Sequence, residues 1–273
     1  MWNRKINHAT RVREHGSIAA FFPYLSRSRA ESVIYFTKHL DITNAVEFIN
    51  EKKRNGQSMS LFILIAAAMA KTLEQRPMTN RFVLGRRLYQ REIFDISYVV
   101  KRTLTDSGDE LLATIEIEKD LPLEDIATKI NTVQNEMKSN KDSGLDKLLN
   151  LFGGLPRPVM RFVFAIVRML DFYGCMPEFI RKELPFYCSV FISNLGSIGI
   201  DAPYHHLYEL GTTSIFLAIG KPSLQPVVSD QGVVEIRKIV NLNFTIDERI
   251  CDGYYLARSL DRFLKLMEHP QNI

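Results

Sequence analysis

The sequence predicts an α/β domain built on a mixed sheet flanked by helices, and three observations point there. Short runs of β-branched and aromatic residues recur along the chain, several of them paired as hairpins. Between them lie segments whose apolar residues fall at helical spacing. Strands and helices interleave instead of segregating, as in an α/β fold whose sheet is not purely parallel.

Residues 1–30 carry Arg, Ser and a Phe21-Phe22-Pro23 break, and are expected to form an irregular arm laid over a domain of residues 31–273. Ser32 to Thr37 reads as a strand, followed by a helix over Asp41 to Lys53 with Ile42, Val46 and Ile49 on one side. Ser58 or Ser60 can cap a long helix through Leu61-Phe62-Ile63-Leu64-Ile65-Ala66, which Pro77 must stop. Apolar all round, that helix is expected to be buried. Ile96 to Thr103 and Leu111 to Glu118 read as strands about a Ser107-Gly108-Asp109 turn. Pro122 opens an amphipathic helix with Leu123, Ile126, Ile130, Val133 and Met137 in one stripe, ending in the Lys138 to Gly144 loop.

Residues 145–184 then read as an apolar helical insertion, with Arg157, Arg161 and Arg168 set among Phe, Val and Met. It can pack as core, meet another subunit, act as a lid over a channel, or lie on a membrane surface. The C-terminal third returns to strands at Tyr187 to Ile192 and Ser214 to Ile219. A hairpin of Val227-Val228 with Val233 to Phe244 follows, about Asp230-Gln231-Gly232. A helix over Tyr254 to Glu268 closes the chain.

At 273 residues, 46% hydrophobic and 24% charged, the chain can bury one large core. Its net charge of +4 comes from scattered Lys and Arg, so no nucleic-acid partner is expected. Cys175, Cys188 and Cys251 lack the Cys-x-x-Cys spacing of a zinc or redox centre; no metal is expected, and a reducing cytoplasm fits. No apolar stretch follows Met1-Trp2-Asn3-Arg4-Lys5, and Leu61 to Ala70 is too short to span a bilayer. The expectation is a cytoplasmic protein with at most peripheral membrane contact.

Two segments carry a family resemblance. Phe191-Ile192-Ser193-Asn194-Leu195-Gly196, with Gly199 and the strand Ile215 to Gly220 behind it, is similar to the Thr-x-Ser-Asn-Leu-Gly stretch of dihydrolipoyl acyltransferases. Asp247-Glu248-Arg249-Ile250-Cys251-Asp252-Gly253 resembles their Asp-His-Arg-x-x-Asp-Gly, with Glu248 where the histidine is expected. Upstream, Asp41-Ile42-Thr43 and Pro77-x-x-Asn80 are weaker echoes. The chain thus resembles the chloramphenicol acetyltransferase-like superfamily, and within it the catalytic domain of 2-oxo acid dehydrogenase acyltransferases.

The resemblance implies a chloramphenicol acetyltransferase-like mixed sheet, a homotrimer, and active sites between subunits reached by a coenzyme A thioester as cosubstrate. It also implies that a lipoyl arm, if used, comes from a separate lipoyl or carrier protein, since the chain has no room for a lipoyl domain.

Acyl transfer needs a base for the attacking thiol, hydroxyl or amine, and donors for the oxyanion. By resemblance, Ser193 is the oxyanion donor and Glu248 stands in the base's place, with Asp247, Arg249, Asp252, Gly253, Asn194 and Gly196 shaping the site. The family's Asp at position 252 is structural, through a salt bridge with an Arg. A thiol near 8.5 lies about 2 units above His and about 4 above Glu. Proton transfer to Glu is then roughly 3 kcal/mol less favourable, on the order of a hundredfold in rate, unless burial raises the carboxyl.

Glu248 is therefore open to three readings: a surrogate base, a lost function on a retained scaffold, or a role in a different reaction. The alternative to an acyltransferase is a catalytically silent trimer that binds an acyl ligand or a partner. Ser193 has a plainer reading as a turn former, and Cys251 as an inert buried thiol. His205 and His206 resemble the His-His of condensation-type enzymes, but Leu210 and Gly211 stand where Asp-Gly is needed. They remain a possible alternative imidazole.

Overall fold

The computed structural model describes residues 8–13, 20–101, 110–139, 153–229 and 231–273. The turn expected at Ser107 to Asp109, Asp230, residues 140–144 of the loop and the start of the 145–184 segment lie outside these residues. The strands are β1 (Ala9–Arg11), β2 (Val33–Asp41), β3 (Arg81–Leu84), β4 (Arg87–Arg91), β5 (Phe94–Lys101), β6 (Glu110–Ile117), β7 (Val190–Asn194), β8 (Ile215–Ile219), β9 (Ser223–Val228) and β10 (Val234–Asp247). The α-helices are α1 (Phe22–Leu25), α2 (Thr43–Arg54), α3 (Leu61–Gln75), α4 (Leu123–Ser139), α5 (Arg157–Phe172), α6 (Glu178–Glu183) and α7 (Gly253–Glu268).

The main sheet runs β2-β10-β8-β7-β5-β6, with β9 pairing the outer half of β10. β7 is parallel to both β5 and β8, and the other pairs are antiparallel. The sheet is therefore mixed, as the sequence predicts, with strand ends moved by a few residues. Alternation along the strands sends Val190, Ile192, Ile215, Leu217, Leu242, Phe244 and Ile246 into one core with α2, α3, α4 and α7. Phe191, Phe216 and Ala218 point the other way and pack with Cys188 and Leu207.

α3 is the pillar of the main core, buried from Phe62 to Ala70, as a helix without a polar face must be. Of the two serines able to cap it, Ser60 does so, accepting from Ile63 N at 3.3 Å. The small sheet β1-β4-β3 is not read from the sequence. Its β3–β4 turn needs two residues at positive φ, supplied by Gly85 at 56° and Arg86 at 60°, a primed hairpin turn that Gly-Arg signals only weakly.

The arm is also more than a surface layer. Ala9 is fully buried under β4, and the Arg29 guanidinium is sunk among backbone carbonyls of Tyr208, Glu209, Val83 and Gly211.

Candidate active site

β10 ends at Asp247, and a short 3-10 turn over Glu248–Ile250 carries the chain to α7. Asp247 is fully buried, and its carboxylate accepts from Arg249 Nε and Nη2, each at 2.8 Å, and from Arg249 N at 3.1 Å. Arg249, 6% exposed, also donates Nη1 to Ser26 O at 3.1 Å. The two neighbours of Glu248 thus neutralise each other in a forked pair. Glu248 itself projects from this platform and is exposed in the single chain.

Asp252 has a different part from the one its family position implies. Among the described residues it makes no ion pair; its side chain caps α7, accepting from Tyr255 N at 2.8 Å. The buried ion pair of this motif belongs to Asp247. Gly253 begins the helix, and Cys251 is a thiol that burial and then the Asp252 charge push up to about 12, too high for a nucleophile.

Ser193 lies near the end of β7, level with Ala218 on β8 and, through it, with Asn243 on β10. Its alternation places it on the Phe191 face, half-buried, and no hydrogen bond occupies its hydroxyl among the described residues. The turn after it is shaped by Ser197, whose hydroxyl donates to Asn194 O at 2.7 Å. Gly196 is required: a Cβ there would collide with the Gly220 carbonyl.

The polar face beside Ser193 escaped the sequence reading. Asn243 Nδ2 donates to Ala202 O at 2.7 Å, and Thr37 Oγ1 donates to Asn243 Oδ1 at 2.8 Å and meets Tyr204 OH at 2.5 Å. The signal was present as alternation in β10, where Asn241, Asn243, Thr245 and Asp247 interleave with Val240, Leu242, Phe244 and Ile246.

Within one chain the structure keeps Ser193 and Glu248 apart. Val190, Ile215 and Ile246 share one row across the sheet. From that row Ser193 is three residues one way and Glu248 two the other, because β10 runs against β7. Five residue steps of about 3.3 Å put about 16 Å between them along the strands, with two strand spacings besides.

The histidine pair lies in the loop between β7 and β8. His205 is parallel to Phe216, ring centres 4.1 Å apart, and Phe216 stacks in turn on Phe191 at 5.0 Å. The His205 ring therefore shares the sheet face of Ser193, two residues along the strand from its level. His205 Nδ1 is engaged with the His206 carbonyl at 2.8 Å, and the His206 ring lies against it at 4.6 Å. Phe216 is level with Thr245 on β10, so the His205 ring lies over the sheet between the Ser193 level and the Glu248 end. Among the described residues no group of His, Cys, Asp and Glu could hold a metal ion.

Residues 188–273, which contain both motifs, match the family described as 2-oxoacid dehydrogenases acyltransferase (catalytic domain). Over 255 residues, 89% of the chain, the sequence is 22% identical to the lipoamide acyltransferase component of the branched-chain alpha-keto acid dehydrogenase complex of Bacillus subtilis (strain 168). The match covers 49% of that protein, so the chain spans about half the length of this curated relative. A probable dihydrolipoamide acetyltransferase from Listeria monocytogenes 4b F2365 superposes with a TM-score of 0.62 at 17% identity, over 94% of each chain. A chloramphenicol acetyltransferase does so with a TM-score of 0.55 at 12% identity, over 95% of this chain and 99% of that one.

The fold is the one shared by these two acetyltransferase structures, a chloramphenicol acetyltransferase-like mixed sheet flanked by helices. The segment bearing Ser193 and Glu248 is the part of the chain that matches the acyltransferase catalytic-domain family, the family that the two motifs resemble.

Proposed function

We propose that this chain transfers an acyl group between a coenzyme A thioester and a thiol, hydroxyl or amine acceptor, at a site shared by adjacent subunits of a trimer. The observation that carries the reading is the pairing of two uncommitted groups at opposite ends of one sheet. The Ser193 hydroxyl has no partner among the described residues, and the Glu248 carboxylate stands exposed on the Asp247–Arg249 clamp. A neighbouring copy can bring one end of its sheet to the other end of this one, and no motion within the chain can.

In this reading Ser193 donates a hydrogen bond to the oxyanion, and Glu248 takes the proton of the attacking group as the bond to the acyl carbon forms. The coenzyme A thiolate then leaves and is protonated. The acceptor is a small molecule or the lipoyl arm of a separate carrier protein. The unbridged thiols of Cys188 and Cys251 support a cytoplasmic location.

Thiol release from a panel of acyl-CoAs tests the role of Glu248. Glu248→Gln is expected to abolish acceptor-dependent release. Glu248→His, restoring the better-matched base, is expected to raise it by up to about a hundredfold. Wild-type turnover that survives Glu248→Gln unchanged would remove Glu248 from the chemistry.

A further inference from the structure

α5 is attached to the fold near its C-terminal end. Its one buried residue is Asp171, whose carboxylate accepts from Tyr187 OH at 2.6 Å and Gly211 N at 3.2 Å. Just beyond, the Phe172 carbonyl touches the β3–β4 turn at Gly85, where a Cβ would collide with it. Met160, Val163, Val167 and Leu170 turn toward the body and are half-buried.

The flank of the helix next to this face is left apolar and open. Val159, Phe162, Ile166 and Met169 form a stripe with exposures of 43, 67, 37 and 52%. Exposed Arg157, Arg161 and Arg168 run along the other flank of the helix, the side of the cleft that Arg168 lines, and the helix's acid, Asp171, is turned inward. Phe179 and, across the β3–β4 turn, Phe21, Tyr24 and Leu25 add further exposed apolar side chains.

Between α5, α1 and the β3–β4 turn opens a cleft of about 410 Å³ lined by Arg27, Arg29, Arg86, Arg168 and Arg249. Its two acids are already engaged: Asp171 as above, and Glu209 by the backbone N–H groups of Arg29 and Ala30. Arg249 is neutralised by Asp247. Arg27, Arg86 and Arg168 have no ion-pair partner among the described residues.

We propose that α5 and this cationic cleft form a docking surface for a bilayer containing anionic phospholipid, with the helix lying along the interface. An apolar stripe bordered by arginines is the pattern of a helix that sits among headgroups, its aromatic and aliphatic side chains below them. A two-fold pairing of this face with its own copy fits less well. Two α5 helices packed face to face would oppose arginine to arginine with no exposed acid on either helix to offset them. The inference does not rest on the acyl-transfer reading.

Flotation of the full chain with phosphatidylcholine vesicles, with and without phosphatidylglycerol, tests it. Binding is expected only with phosphatidylglycerol, and weaker at high salt. Replacing Arg157, Arg161 and Arg168 with Gln is expected to lower partitioning roughly fivefold per residue, on the order of a hundredfold together. Phe162→Glu with Met169→Glu is expected to abolish flotation. All five positions are exposed, and circular dichroism checks that each variant keeps its fold. No flotation with phosphatidylglycerol, or equal flotation with phosphatidylcholine alone, overturns the proposal. So does a wild type that ignores vesicles while Phe162→Glu lowers its sedimentation mass, which would assign the face to a second copy.

Discussion

Glu248 sits between two residues that hold each other, and that arrangement separates what its neighbours do from what it is free to do. Asp247 and Arg249 are buried and forked together at 2.8 Å, so their charges are spent on the local fold. Removing one partner leaves the other buried and uncompensated, and Asp247→Ala is expected to cost about 3–5 kcal/mol of unfolding free energy, read from denaturant midpoints. Replacing both by apolar residues of similar size is expected to cost much less, and equal losses would show that the pair is not what stabilises this turn. The sequence supplied the identities of Ser193, Glu248 and their neighbours. It gave Asp252 the ion pair that the structure gives Asp247, because a motif position does not say which carboxylate is turned inward.

The elements show which patterns a sequence makes legible. α3 was readable because a helix with apolar residues on every side has only one place to go. β10 was readable as a strand, yet its row of Asn241, Asn243, Thr245 and Asp247 went unremarked as a polar face. That row matters only once β8 and β7 bring Ser193 level with Asn243. β3 and β4 were missed because each is short and their turn is marked by Gly85-Arg86 alone. α5 was foreseen as part of an apolar helical insertion, and which side it offers is fixed by Asp171, a hydrogen-bond anchor that periodicity cannot see.

β5 also carries a test of the fold's electrostatics. Burial pushes the Asp95 carboxyl up to about 6, against the opposing pull of Arg91, while Glu116 adds to the rise and Arg181 and His8 oppose it. Its Oδ1 has no hydrogen-bond partner. The folded chain therefore holds this proton where the unfolded chain has lost it, so Asp95's contribution to stability is full below about pH 4 and declines as pH rises to about 6. The loss amounts to about 3 kcal/mol. The difference in denaturant midpoint between wild type and Asp95→Asn should widen across that window in the variant's favour. A difference that does not change with pH would contradict the assignment.

For the whole molecule, the fold was legible because two motifs, their order and their spacing report on the same sheet. The proposed assembly came from the resemblance alone, since residues that would meet across a subunit boundary leave no periodicity in either partner. The single chain nevertheless constrains it: with Ser193 and Glu248 about 16 Å apart along the strands, only a neighbouring copy can complete the proposed site.

Subunit mixing measures this directly. Ser193→Ala and Glu248→Gln are each expected to be inactive in acyl-CoA turnover. Unfolded together and refolded as mixed oligomers, they should regain about a quarter of wild-type activity, because random assembly places an intact Ser193 beside an intact Glu248 at about one boundary in four. Mixed oligomers as inactive as their parents, from a wild type that turns over, would contradict a site shared between subunits.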